Sequence, residues 1–379
     1  MAERRIYLDY NASTPVAPEA LRAMEPLLRD GFGNPSSAHW AGVLAREALE
    51  AGRGRVADLL GCTPGEVVLT SGGSEANNAA LKGAWFALRE RGDHLVTTAV
   101  EHLAVLEPCR WLEALGARVT RVPVDAGGRV DPEDVRRSLG PRTVLVSVMH
   151  ANNEVGTVQP LAEIARYCRE AGVLLHTDAA QSVGKIPSRV DELGVDLLSL
   201  AGHKLCAPKG VGALYVREGT PLHPLIHGAG HEGGRRAGTE SAFLAAGLGA
   251  ACSLAGGDLG MPRTRELRDR FWVGLQELFG DRVVRNGCTS AVLPNTLHVS
   301  FLGRLGSEVL AGLPGVAAST GSACHSGRIH VSHVLQAMGV EPGRAAGAVR
   351  WSLGRETTAQ EIDTVLEELR RLPRHGRAP

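Results

Sequence analysis

Lys204 closes the stretch SLAGHK, and Asp178 closes an apolar run in HTDAAQ. A lysine amine can hold an aldehyde cofactor as a Schiff base, and a carboxylate can keep a pyridine nitrogen protonated so that the ring draws electrons. That is the chemistry of pyridoxal phosphate (PLP). Asp178 follows VLLHT, a β-rich apolar run that reads as a buried strand, so its carboxylate is expected at the strand's C-terminal end. Open α/β sheets bind ligands there. Gln181 lies close behind it, in reach of the cofactor's phenolic oxygen. Taken singly, Asp178 reads equally well as a helix cap and Lys204 as a solvated surface lysine, and only the accompanying motifs weigh against this.

The first of these is VVLTSGGSEANN, where a strand runs into a helix. Gly72 and Gly73 let the backbone approach a phosphate closely, and Ser74 offers a hydroxyl at a helix N-terminus. Alone, Ser-Gly-Gly-Ser is also a common turn and cap. His102, in VEHLAV after the strand HLVTT, is placed to stack on a cofactor ring and move protons, although a lone histidine at a strand end is more often structural.

The elements that must position these residues alternate. From about residue 66, EVVLTS, HLVTT, TVLVSVM, VLLHTD, VDLLSLA and VGALYV read as strands, with helices predicted over 77–90, 103–115 and 161–171. Such alternation predicts an α/β fold with a mainly parallel, helix-covered sheet. AGGDLGMP at 255–262 breaks the pattern and is followed by a polar helix from about Thr264, the strand NTLHVSF and a helical tail from about Thr358. The reading is a large domain over 16–254 and a smaller α+β domain built from 1–15 and 255–379.

Acidic and basic residues balance at 41 each, so no net field argues for nucleic acid or anionic lipid. MAERRIYLDY lacks the apolar core of a secretory signal, and AFLAAGLGAA is too short to span a bilayer, so a cytoplasmic protein is expected. Seven scattered cysteines without CxxC pairs suit reduced thiols better than disulfides or zinc. His325, His330 and His333 match no standard zinc framework, and no metal is expected.

As a set, the motifs resemble those of the class V aminotransferase-like cysteine desulfurases and selenocysteine lyases. The resemblance runs from YLDYNASTP to RWSLGRETT through GNPSSAH, TSGGSEANN, VEH, NNEVG, HTDAAQS, GHK with PKGVGALY, RRAGTE and GSACHSG. It implies the PLP-dependent transferase fold (fold type I), with Lys204 as the Schiff-base lysine, Asp178 as the pyridinium partner, Gln181 on the phenolic oxygen and His102 as a stacked acid/base. It also implies that Gly73, Ser74 and His203 hold the phosphate, helped by Thr239 from a second subunit, and hence a homodimer. Asn153 and Arg350 would bind the substrate carboxylate, the arginine through its planar fork.

The resemblance makes Cys324, in the small-residue stretch STGSACHSG, the nucleophile of a mobile loop. Its thiolate would take sulfur from the substrate, leaving alanine and an enzyme persulfide for an acceptor protein such as those of iron–sulfur cluster assembly, with His325 or His102 moving its proton. Three departures from the family pattern stand out. Ala201 stands where many desulfurases have a phosphate-binding serine, Cys206 and Ala207 replace a usual tyrosine and glycine, and His325 follows the cysteine as in selenocysteine lyases. The reading is therefore a PLP-dependent cysteine desulfurase acting on L-cysteine, with a lyase acting on L-selenocysteine as the alternative. An aminotransferase or β-eliminating lyase, and a non-catalytic binding protein of the same fold, are more distant.

Overall fold

The computed structural model describes residues 5–320, 322–325 and 328–372, and for 322–325 and 328–330 the backbone alone. Seven strands, β1 (Val67–Thr70), β2 (His94–Thr98), β3 (Arg118–Val122), β4 (Thr143–Ser147), β5 (Leu174–Asp178), β6 (Leu197–Ala201) and β7 (Gly212–Val216), form one sheet in the order β1-β7-β6-β5-β4-β2-β3. Strands β2 to β6 pair in parallel. β7 runs antiparallel to both β1 and β6. The fold is α/β with a mainly parallel sheet. Every residue of β1, β2, β4, β6 and β7 is buried, which is why those segments read as continuous apolar runs.

Helices cover both faces. Gly73–Leu88 and Leu103–Ala114 bury Ala80, Leu81, Trp85, Cys109 and Leu112 against one. Trp40–Leu60, Leu161–Ala171 and Ala242–Gly257 bury Val56, Leu60, Ile164, Leu248 and Cys252 against the other. Among the described residues no single helix is long and apolar enough to cross a membrane.

A second, antiparallel sheet orders Ser319–Thr320, Ala348–Ser352, Thr296–Phe301 and Val283–Arg285. The helices Met261–Phe279 and Ala359–Arg371 bury Phe271 and Val365 in a core with its Leu297, Phe301 and Trp351. The start of the chain belongs here: Ile6–Tyr7 pairs with Val316–Ala317, and Ile6 and Leu8 enter the same core.

Four elements differ from expectation. Helices Pro18–Asp30 and Trp40–Leu60 fill a stretch for which no element was predicted. β3, also unpredicted, reads Arg-Val-Thr-Arg-Val and is the sheet's edge, where exposed Arg118 and Arg121 discourage pairing with another chain. The predicted loop around Cys324 contains a strand, Ser322–His325, paired antiparallel with Arg328–Val331.

β1 is tied to its surroundings by a buried ion pair. Arg53 Nη1 and Nη2 meet the two carboxylate oxygens of Glu232 at 2.6 and 2.9 Å. The same arginine donates to Val67 O, and Glu232 accepts the Leu69 N–H. Glu232 adopts a left-handed backbone (φ 51°), a strain for a residue with a side chain that these bonds must hold. Removing one partner leaves the other charge buried, so R53M or E232Q is expected to destabilise the fold by ~3–5 kcal/mol, with the double variant costing less than the sum. Urea unfolding of the four proteins checks this, and additive losses would contradict it.

Candidate active site

The ends of β1, β4, β5 and β6 converge with the turn before β7 around a cavity of ≈ 640 Å³. Two glycines make this possible. Gly72 turns the chain from β1 into the helix at φ 147°, and a Cβ on Gly212 would stand 2.7 Å from the Gly72 Cα. Of the residues singled out from the sequence, Gly73, Ser74, His102, Asn153, Asp178, Gln181, His203, Lys204 and Arg350 line this cavity. Thr239 does not. It lines a smaller cavity of ≈ 140 Å³ that shares Ser71 and Gly210 with the larger one. The side chain of Cys324 lies outside the described residues, as do those of His325 and His330. His333 of the weighed histidine group bonds instead to the Glu101 carbonyl at 2.9 Å.

Asp178 ends β5 almost buried, with one carboxylate oxygen accepting from Asn77 Nδ2 at 2.7 Å and the other from the Ala180 N–H at 2.9 Å. Both bonds orient the group without a cationic partner. Lys204 Nζ donates to the carbonyls of Asn11 and, at 2.9 Å, Ala12. Desolvation and then the nearby Arg350 push its amine down to about 8, against the opposing pull of Asp178 and Asp9. Roughly a tenth of the amine is therefore unprotonated and nucleophilic at pH 7, far more than for an ordinary lysine.

His102 caps the helix Leu103–Ala114. Its Nδ1 accepts the Ala104 N–H at 3.0 Å, which places the proton of the neutral ring on Nε2. Burial holds this ring below the ordinary histidine range, against the pull of Asp178. Beneath it, burial pushes the Glu101 carboxyl up to about 8, although Thr98 Oγ1 and the Met149 N–H donate to it. His203, pushed down to about 4 by desolvation and by Lys204 and Lys209, has a buried Nδ1 without a partner among the described residues.

Arg350 is held from three sides. Nη2 donates to Asp9 at 2.7 Å and to Ser319 Oγ at 3.0 Å, and Nη1 to the Asn153 carbonyl at 3.0 Å. Its buried Nε has no partner among the described residues. Nη2 spends both hydrogens on these bonds, whereas Nη1 keeps one N–H for an incoming carboxylate.

Sequence reasoning missed Asn11, Asn77, Lys185 and Asp9. Asn77 stands in the cradle motif itself, one turn inside its helix, and that spacing was the available signal. Asp9 and Asn11 stand in YLDYNASTP and Lys185 four residues after Gln181, but the bonds that give them roles, to Arg350, Lys204 and Asn11, join residues 341, 193 and 174 apart. The departure at Cys206 is also accounted for: it is left-handed (φ 62°), its N–H donates to Thr14 Oγ1, and its carbonyl accepts the Ala17 N–H. The first residues of the chain thus brace the turn behind Lys204.

The family model for class V aminotransferases matches residues 6–365. The chain is 47% identical over 374 residues to the cysteine desulfurase IscS of Dictyoglomus turgidum, covering 98% of this chain and 95% of that protein. It is 43% identical to the cysteine desulfurase IscS of Methanosarcina thermophila, covering 96% and 91%. Among solved structures, a NifS-like protein superposes with a TM-score of 0.91 at 38% identity, covering 97% of this chain and 99% of that one. SspA in complex with cysteine superposes with a TM-score of 0.83 at 39% identity, covering 93% and 100%. The architecture is that of fold type I, and the chain belongs to the class V aminotransferase family.

Proposed function

We propose that the chain is a PLP-dependent cysteine desulfurase, converting L-cysteine and the thiol of Cys324 into L-alanine and a persulfide on Cys324. The convergence of Lys204, Asp178, His102 and Arg350 on one cavity carries this reading. The similarity to proteins named cysteine desulfurases over nearly the whole chain supports it.

The residues present fit PLP. A Cβ on Gly73 would come within 3.2 Å of the Ala201 Cβ, so only glycine keeps the cradle open there, and the unpartnered His203 Nδ1 suits a phosphate oxygen. Ala201 supplies no hydroxyl, which leaves phosphate binding to Gly73, Ser74 and His203, with Thr239 from a second subunit. Thr239 stands outside the main cavity of its own chain, which accords with a homodimer. Leu28, Phe32 and Trp40, exposed by 61, 76 and 79%, offer apolar surface for one.

When bound, PLP supplies an electron sink for bonds at the substrate's Cα. Lys204 would hold it covalently and, once released, move the Cα proton. Asp178, oriented by Asn77, would keep the ring nitrogen protonated, and Gln181 would donate to the phenolic oxygen. His102 would stack on the ring and transfer a proton through Nε2. Arg350 and Asn153 would bind the substrate carboxylate. The Cys324 thiolate attacks the substrate sulfur, the carbon–sulfur bond breaks as the sulfur–sulfur bond forms, and the carbon skeleton takes up protons to leave as alanine. No external oxidant or reductant is needed. The persulfide would then pass to an acceptor protein, in the cytoplasm.

Alanine release from L-cysteine by the PLP-loaded protein tests the assignment. Turnover of cysteine at a rate comparable to or above that of L-selenocysteine is expected, whereas strong exclusion of cysteine would make the protein a selenocysteine lyase. C324A is expected to abolish turnover of cysteine and to spare part of that of selenocysteine, because a selenol leaves more readily; equal loss on both substrates would contradict this split between the two reactions. The depressed amine of Lys204 makes a separate prediction. Protonated below about pH 8 and free above it, it should give a rate of PLP incorporation into apo-protein that rises through about pH 8 and then levels. A rate still climbing at pH ~10, as for an ordinary lysine, would contradict the assigned environment.

A further inference from the structure

Lys185 has no part in the roles assigned so far. It lies four residues beyond Gln181, in a run of turns, and its amine sits between two side-chain carbonyls: Gln181 Oε1 at 2.9 Å and Asn11 Oδ1 at 3.3 Å. The charged and titratable groups around it are Lys204, Arg350 and the Cys206 thiol, and among the described residues no carboxylate pairs with it. Desolvation, reinforced by Lys204 and Arg350, pushes the amine down to about 7. A lysine placed against its own field without a counter-ion is costly for packing alone.

The hydrogen-bond directions show what it does. The Asn11 carboxamide is oriented by its own donations, from Nδ2 to Thr296 Oγ1 at 2.8 Å and to the Asn153 carbonyl at 3.2 Å, so Oδ1 is the face turned to Lys185. Gln181 Nε2 donates to the backbone carbonyl of Asn11 at 2.9 Å, and that carbonyl also receives Lys204 Nζ. Charged or neutral, Lys185 has enough N–H bonds to serve both carbonyl oxygens. With Oε1 held by Lys185 and one Nε2 hydrogen held by Asn11, Gln181 can offer the cavity only a donor.

Resting on the PLP reading above, we infer that Lys185 is a positioning residue that locks the Gln181 carboxamide with its N–H toward the cofactor's phenolic oxygen. Without Lys185, one of the two bonds that fix the carboxamide is lost, and only the Asn11 carbonyl opposes its turning the oxygen to the cavity. An acceptor beside a phenolate, or the loss of a neighbouring positive charge, favours the protonated form of the cofactor–lysine linkage. Both consequences move its titration in the same direction, upward.

The experiment is a pH titration of the visible absorbance of the PLP-loaded protein for wild type, K185M, K185R, Q181A and the Q181A/K185M double variant, with thermal unfolding recorded alongside. K185M is expected to raise the midpoint by about one pH unit, K185R to restore it to near the wild-type value, and the K185M shift to shrink by at least about half in the Q181A background, where the intermediary is gone. A K185M midpoint equal to wild type, or an equal shift with and without Gln181, would overturn the inference. If K185M does not accumulate as folded protein, the K185R comparison decides: a wild-type midpoint supports the donor role and a raised one rejects it. A wild-type protein with no titrating visible band would instead reject the PLP reading itself.

Discussion

The site depends on the hold that the first residues of the chain have on Lys204. Its amine rests on the carbonyls of Asn11 and Ala12, acceptors that orient it without the counter-charge a carboxylate would supply. Asn11 is itself fully enclosed and reaches both sheets, bonding to Ser352, Thr296 and Asn295 on one side and to Gln181 and Lys185 on the other. Because the N-terminal strand pairs within the smaller sheet's layer, the same few residues set the distance between Lys204 and Arg350. Loss of this segment would therefore disturb the amine, Gln181 and the arginine together.

The electrostatics follow from that placement. Lys204, Lys185 and Arg350 share a small volume, and desolvation with mutual repulsion lowers both lysines. Neither nearby carboxylate bonds to the lysines: Asp9 is committed to Arg350 and Ser319, and Asp178 to Asn77 and the Ala180 N–H. The histidines are likewise held toward the neutral form by burial, as His102 and His203 show. A site of amines that titrate near neutral pH, imidazoles held toward the neutral form and one fixed guanidinium is suited to proton transfer and to binding an anionic, carboxylate-bearing substrate.

The parts legible in the sequence are those whose chemistry leaves few choices of residue. A Schiff-base lysine, a carboxylate at a strand end and a glycine pair before a helix are recognisable because covalent chemistry and backbone geometry restrict what can stand there. Buried parallel strands were equally plain as apolar runs. What was missed depends on chain reversals that a sequence does not display: Asp9 meeting Arg350, Asn11 meeting Lys204, and Lys185 reaching back to residue 11. β3 was missed because an edge strand carries charge, and the first two helices because Pro26 interrupts one and Gly42, Gly52 and Gly54 the other, residues that weaken a helical pattern. Thr239 shows the limit differently: its role was carried by family resemblance, and within one chain it stands beside the cavity rather than in it.

The most direct test of the account is where the sulfur goes. After PLP-loaded protein is mixed with one equivalent of L-cysteine without reductant, alkylated and digested, mass spectrometry should find the gain of one sulfur atom on the peptide containing Cys324 and on none of the peptides carrying the other six cysteines. Alanine formed without that label, or the label found at Cys206 or Cys288, would contradict the account.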